Sequence, residues 1–426
     1  MHNTSQAIVR NCSRIRPRFI AGFSLMLAFF LTSPAMAGGS EDDVVSISGF
    51  GTLGAVRHGS DGVDYRRDIS QPNGAKPHRW NVDVDSMLGV QATARPASNL
   101  EATVQLVSRY AIGVGYNPQV TWAYMKWKPR EDLTLRAGRL GIELYMQGDS
   151  AEIGYANLLM RQPMIFYPRL FDGADAEWIT PLGAGTLRLK GQVGKAFGKL
   201  APGSGAPYDA QGARGRIFLA EYAQGGWTGR VSTGRLTLAS DPVDANTQAL
   251  YRGLATAPKG ADILAAIGLR DRAMDYVTAA LAYDAGPIQA MVGHSIISTP
   301  HVPDLKALYL QAGYRIGKFT PYAAYTRQWN QRNLIQTGIP WGFSAASDAL
   351  NQGALVAQTS MWSNQSVVAA GLRHHLTRNT ALKFQIDHIR YQDPTAIVDP
   401  SLLTANVAAR GFKRMTLFSA ALEFVF

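Results

Sequence analysis

Asn379-Thr380-Ala381-Leu382-Lys383-Phe384-Gln385-Ile386-Asp387-His388-Ile389-Arg390-Tyr391 alternates through its middle. Leu382, Phe384 and Ile386 fall on one parity, and Lys383, Gln385 and Asp387 on the other. A period of two sends successive side chains to opposite faces of a sheet, so this stretch reads as a strand with one oily and one wet side. The pattern recurs. In 99–110, Leu100, Ala102, Val104 and Leu106 oppose Glu101, Thr103, Gln105 and Arg109; in 185–195, Leu187, Leu189 and Val193 oppose Arg188, Lys190 and Gln192. Sixteen segments read this way, at 44–57, 86–95, 99–110, 118–128, 132–140, 172–180, 185–195, 213–224, 226–238, 273–284, 287–298, 304–317, 318–329, 364–376, 379–391 and 412–426. Each is about long enough for a tilted strand to cross a bilayer. A soluble half-buried sheet also alternates, so the pattern alone leaves the solvent open.

The connections narrow the choice. They alternate short and long without exception in this reading. Pro96-Ala97-Ser98-Asn99, Pro181-Leu182-Gly183-Ala184-Gly185, Gln224-Gly225-Gly226 and Thr377-Arg378-Asn379 are tight turns, rich in residues whose backbone preferences fix them. Between them lie stretches of about six to more than thirty residues. An up-and-down barrel with turns at one rim and long loops at the other has this rhythm. Trp127, Trp178 and Trp227 flank short turns, with Tyr283 and Tyr314 close by, as a girdle at one membrane interface requires. The last stretch puts Phe418, Leu422, Phe424 and Phe426 on one face, with Ser419 and Glu423 on the other. A free apolar edge invites aggregation, and pairing it with 44–57 closes the barrel.

Residues 1–37 read as a secretory leader: Arg10, Arg14, Arg16 and Arg18 with no acid, an apolar run from Phe19 to Leu31, then Ala35-Met36-Ala37. The run is shorter than the ~20 residues a spanning helix needs. Cleavage after Ala37 would leave a single domain over 38–426 and remove Cys12, the only cysteine. It would also remove four arginines, taking the formal charge from +11 to +7. The remaining bases are scattered, which argues against nucleic acid as a partner. No later stretch has 18 consecutive apolar residues. A closed barrel is then the way for an exported chain to satisfy its backbone in a membrane.

The terminal strand ending in Phe426 resembles that of Gram-negative outer-membrane porins. Ser46-Ile47-Ser48-Gly49-Phe50-Gly51-Thr52-Leu53-Gly54 is similar to that family's first strand, Leu133-Thr134-Leu135-Arg136-Ala137-Gly138-Arg139 to its fifth, and Phe171-Asp172-Gly173-Ala174-Asp175-Ala176-Glu177-Trp178 to the start of its sixth. The resemblance implies an outer-membrane homotrimer of sixteen-stranded barrels amid lipid and lipopolysaccharide, with the third external loop folded inward. Passive diffusion of small polar solutes is the implied activity.

On that reading the constriction carries the function. The connection 141–171 supplies Glu143, Asp149 and Glu152, with Tyr145, Tyr155, Phe166 and Tyr167 to pack it on the wall. Parity turns Arg95, Arg109, Lys126, Arg136, Arg188 and Lys190 into the lumen, against Glu101, Asp175, Glu177, Asp387 and Glu423. Arg139 counts onto the lipid face, beside Gly138, where a bulge would re-aim it. Facing acids and bases set a transverse field that favours polar solutes, and the surplus of bases predicts a mild anion preference. A channel selective for phosphate or another small anion is the alternative. A more distant one is a barrel phospholipase, for which His374 sits at the wrong rim. Gly49-Phe50-Gly51-Thr52-Leu53-Gly54 matches a dinucleotide fingerprint but leads into a polar loop rather than a helix. Asp61, Asp64, Asp83 and Asp85 read as solvated loop charges, so neither cofactor nor metal is expected.

Overall fold

The computed structural model describes residues 44–162, 169–200, 208–331, 333–359, 364–391 and 413–426. The leader expected at 1–37, and Phe166 and Tyr167, lie outside them. The first half contributes β1 (Val45–His58), β2 (Met87–Ala97), β3 (Leu100–Arg109), β4 (Gln119–Arg130), β5 (Leu133–Gly141), β6 (Leu170–Leu182), β7 (Gly185–Ala196) and a small hairpin of β8 (Lys199–Leu200) and β9 (Tyr208–Asp209). The rest contributes β10 (Ala213–Gln224), β11 (Trp227–Thr237), β12 (Ala273–Ala285), β13 (Ile288–Thr299), β14 (Val302–Tyr314), β15 (Phe319–Trp329), β16 (Gln365–His375), β17 (Thr380–Tyr391) and β18 (Arg414–Val425). All but β8 and β9 form one closed antiparallel barrel in which each strand pairs with its sequence neighbours. β1 and β18 close it, Phe50 opposite Val425 and His58 opposite Leu417. The sixteen alternating segments of the sequence are these sixteen strands, displaced by at most two residues at most ends.

The alternation sorts the two faces as expected. Val104, Val193, Phe218, Val231, Val277 and Phe384 are exposed on the outside. Thr103, Gln105, Gln192, Ser232, Thr278 and Gln385 of the other parity are buried within the lumen. Trp127, Trp178, Trp227 and Tyr314 are exposed on the outside near the short turns, and Trp227 packs against Tyr283 at 4.6 Å. His374 shares that rim and stacks on Phe319 at 4.3 Å. Gly183, Gly225, Gly286 and Gly317 take φ between +54° and +59° in these turns, a left-handed conformation that disfavours a Cβ.

The long connections differ from the reading in two ways. β13 and β14 are joined by only Pro300 and His301, so the outer rim has one turn as tight as those of the inner rim. Helices also form where the sequence reading had only loop: α1 (Ala245–Leu254) and α2 (Gly260–Ile267) after β11, and α3 (Ala345–Thr359) after β15. They pack on one another through Leu254, Ile263 and Ala354. Asp244 caps α1 by accepting from Thr247 N–H. Such short helices are marginal alone and depend on this mutual burial, which no single connection reveals. No helix among the described residues is long and apolar enough to cross a membrane.

Candidate functional site: the charged lumen

Between β5 and β6 the chain is bound to walls that face each other. Near its start, Glu143 N–H donates to Gln192 Oε1 of β7 at 2.9 Å. Leu144 O accepts from Thr278 of β12 and Tyr145 O from Arg230 of β11. Further on, Gly154 O and Asn157 O accept from Lys383 Nζ of β17, Tyr155 O from Arg373 of β16, and Met160 N–H donates to Gln385 of β17. β7 and β17 stand eight strands apart around the barrel of sixteen. Leu158 and Leu159 pack against Tyr322, Ala324 and Ala369 on the same far wall. At the closest approach, a Cβ on Gly154 would lie 2.6 Å from Glu423 Oε1 and 2.8 Å from Thr52 Oγ1, so only glycine fits without displacement.

Three charge clusters hold this segment. In the first, Glu143 receives Arg136 at 3.0 Å, Arg188 at 2.5 Å and Lys190, while Asp175 takes Arg136 at 2.6 Å. Burial opposes ionisation of Glu143, but Lys190, Arg188 and Arg136 outweigh it and hold the carboxyl down at about 2. In the second, Arg109 and Arg169 each bridge Asp68 and Glu152 at 3.1–3.4 Å. Burial raises the Asp68 carboxyl, yet Arg169 and Arg109 bring it well below the usual range. In the third, Arg161 binds Asp85, Asp387 at 3.0 Å and Ser419 at 2.9 Å, and it lies 5.1 Å from the Tyr65 ring.

Of the expected residues, Arg136, Arg188, Lys190 and Glu143 come together in the first cluster, and Arg109 and Glu152 in the second. Arg95 and Lys126 meet Glu101 at 3.4 and 3.0 Å near the short-turn rim, away from both. Asp149 makes no ion pair among the described residues. Its side chain reaches lumen water although protein surrounds it on most sides, and burial, with Glu143 adding, pushes it up to about 6. Arg139 does not join the constriction group. It lies opposite Asp172 in register and binds it at 2.8 and 3.0 Å, one parity away from Arg136 and Asp175. Gly138 has φ of +133°, but the β4–β5 register runs unbroken past it, so no bulge re-aims the arginine. Asp85 corrects another expectation: it is 2% exposed and paired, not a solvated loop charge.

The sequence reading missed Arg161 and Arg169, which lie in a connection with no local pattern. It also missed the pair of Lys383 with Glu423, 2.8 Å apart and buried, although parity had put Glu423 in the lumen. Arg161 and Asp387 are separated by 226 positions, and nothing local in a sequence announces such a partner.

A cavity of about 1280 Å³ remains, open to solvent and lined by Gln105, Arg109, Tyr124, Asp149, Glu152 and Arg161 among others. A closed sixteen-stranded barrel, oily outside and wet within, defines an outer-membrane channel. The model of the Gram-negative porin family matches residues 183–394, and this match places the chain among the Gram-negative porins. Among solved structures, the outer membrane channel DcaP of Acinetobacter baumannii is similar over 92% of this chain and all of its own, at 9% identity and a TM-score of 0.53. The anion-selective porin of Comamonas acidovorans is similar over 90% of this chain and all of its own, at 14% identity and a TM-score of 0.50. At such identities these likenesses speak for the fold alone. No curated protein matches the chain.

Proposed function

We propose that this channel passes small polar solutes and ions by passive diffusion, with a mild preference for anions. The observation that carries the reading is the open, charged cavity; the hydrogen bonds of the connection between β5 and β6 to strands on opposite sides of the barrel support its folding inward to narrow that cavity. Leaving out Arg139, Lys195 and Asp172, which face outward, seven bases line that cavity against six acids, a surplus that concentrates small anions only weakly. The guanidinium groups are mostly held by carboxylates, so they act as a fixed transverse field rather than as tight sites. The narrower reading, a channel selective for phosphate or another small anion, finds its support in Arg67, Arg109 and Arg169 around Asp68 and Glu152, where bases outnumber acids by one. The family match favours a channel over an enzyme.

Planar-bilayer recording tests this. The folded protein is expected to open in ohmic steps, with a reversal potential in a salt gradient of the sign of anion preference. Clear cation selectivity would refute the preference, and silence at high protein load would refute the channel.

Asp149 gives the selectivity a pH dependence. With its carboxyl near 6, it is ionised at pH 7.5 and mostly neutral at pH 5, so acidification removes a negative charge from the constriction. Anion preference is therefore expected to rise between pH 7.5 and 5 in the wild type and to stay nearly flat in Asp149→Asn. An equal pH response in both proteins would show that another group titrates.

A further inference from the structure

Arg272 is held differently from the bases of the constriction. Leu238 N–H donates to Arg272 O at 2.9 Å, which extends the ladder of β11 and β12 by one pair toward the outer rim. Arg272 therefore continues the lumen parity of β12, ahead of Met274, Tyr276 and Thr278. It is 9% exposed. One guanidinium N–H, on Nη2, donates to Ala265 O in the last turn of α2 at 2.9 Å. Among the described residues Arg272 forms no ion pair. Asp241, in the same connection, accepts instead from the N–H groups of Leu269 and Arg270 and pairs with the Arg270 side chain at 3.6 Å.

The walls around this guanidinium are apolar. Leu238, Met274 and Ile297 are buried in one cluster, and Leu269 and Leu305 pack against it, half-buried. All five line the same cavity as Arg272. They come from the outer ends of β12, β13 and β14 and from the connection between β11 and β12. Across the lumen, seven strands away, Arg109 of β3 is fixed by Asp68 and Glu152.

Capping α2 accounts for one N–H of Arg272, and an arginine has five. Nε and Nη1 bond nothing among the described residues, yet neither is sealed in protein, so both open to the cavity. A largely buried charge without a counter-charge is costly. The carbonyl end of α2 offsets only part of that cost. A carboxylate entering from the lumen would offset the rest, since a guanidinium with N–H groups to spare engages both of its oxygens. Hydrated chloride would supply the charge but gain nothing from leucine and methionine walls. Phosphate carries up to two charges against one and sheds its water at greater cost. An organic monocarboxylate balances the single charge, and its apolar body displaces water from the apolar walls.

We propose that Arg272, with Leu238, Leu269, Met274, Ile297 and Leu305, forms a binding site near the outer rim for organic monocarboxylates that carry an apolar body, such as a short-chain fatty acid anion. One guanidinium beside a water-filled cavity binds weakly, as a channel site must if the solute is to leave. Access to the site rests on the open lumen, and so on the channel reading. The site would make anions of this class the preferred solutes among those that pass.

Ligand-observed NMR titration of the full folded protein in detergent tests it, with hexanoate, acetate and inorganic phosphate as probes and empty micelles as the blank. The wild type is expected to bind hexanoate at least tenfold more tightly than acetate or phosphate. R272Q should weaken hexanoate binding at least fivefold, with R272K between. L305N should weaken hexanoate at least threefold and leave acetate within twofold. Were Arg272 only a cap for α2, R272Q and wild type would bind hexanoate equally, and that result would overturn the proposal. Equal binding of hexanoate and acetate by the wild type would do the same. Should R272Q not fold, L269N and L305N carry the test, and unchanged hexanoate affinity in both would overturn it. In planar bilayers, hexanoate should reduce the wild-type chloride current at concentrations where acetate does not. Selective binding in detergent with silence in the bilayer would count against the channel reading alone. Ohmic conduction without selective binding of hexanoate would count against this site alone.

Discussion

Arg161→Ala is expected to release the far end of the connection between β5 and β6 while leaving the barrel intact. The guanidinium is 10% exposed and satisfies Asp85 and Asp387, themselves 3% and 8% exposed, together with Ser419. Removing it strands two buried carboxylates close to each other. Breaking a buried ion pair by deleting one partner costs roughly 3–5 kcal/mol. Here that cost falls on a local equilibrium, the docking of residues 158–162 against the wall, because the sixteen strands keep their ladder. A change of about 3–5 kcal/mol raises the population of undocked segment by roughly two to four orders of magnitude. Single-channel current should become noisier, with larger and more variable steps, and protease should cut within 142–162 under conditions that spare the wild type. Arg161→Lys, which keeps the charge but loses the fork, should fall between. Wild-type noise and protease resistance in the alanine variant would mean that Arg161 does not anchor the segment.

Glu143→Gln is expected to give the largest change in selectivity. The carboxylate meets Arg136, Arg188 and Lys190 at one place on the lumen wall. With its carboxyl held at about 2, it stays ionised through the working pH range, so the substitution removes a full negative charge at any ordinary pH. A unit charge about 5 Å from a passing ion, in a lumen with an effective dielectric of about 60, is worth about 1 kcal/mol. The anion gains and the cation loses that amount, a difference of about 2 kcal/mol that corresponds to a roughly thirtyfold rise in the anion-to-cation permeability ratio. Reversal potentials measure it directly, at low salt where screening is weakest. Asp275→Asn, on the outer face of β12, serves as the control and should leave the ratio unchanged. A ratio in Glu143→Gln that stays level or falls would show that permeating ions do not feel this cluster. The effect differs from that of Asp149 in being independent of pH between 5 and 7.5.

The clusters also bear on how much of the site a sequence can reveal. Arg136, Arg188 and Lys190 were legible because each lies on a strand, where parity alone decides the face. Glu143 was legible because the connection it opens is long and follows the fifth strand. Arg139 shows the rule holding against a special plea: counting put it outside, and it is outside, bound to Asp172. Asp85 shows the opposite failure. It stands among loop acids with no period to guide the reading, and its burial depends on Arg161, from a connection far along the chain.

The sequence by itself determined the barrel: sixteen strands, their inner and outer faces, the girdle at the short-turn rim and the seam between first and last strands. These rest on local physics, since alternation and turn chemistry act within a dozen residues and each strand pairs with its neighbour in the chain. Only the tertiary structure decided which charges neutralise one another across the lumen, where the connection after β5 is anchored, and that helices from two distant connections pack together. Such contacts join residues up to 258 positions apart, and the energy that selects them comes from burial and charge pairing, which exist only once the barrel has closed around them.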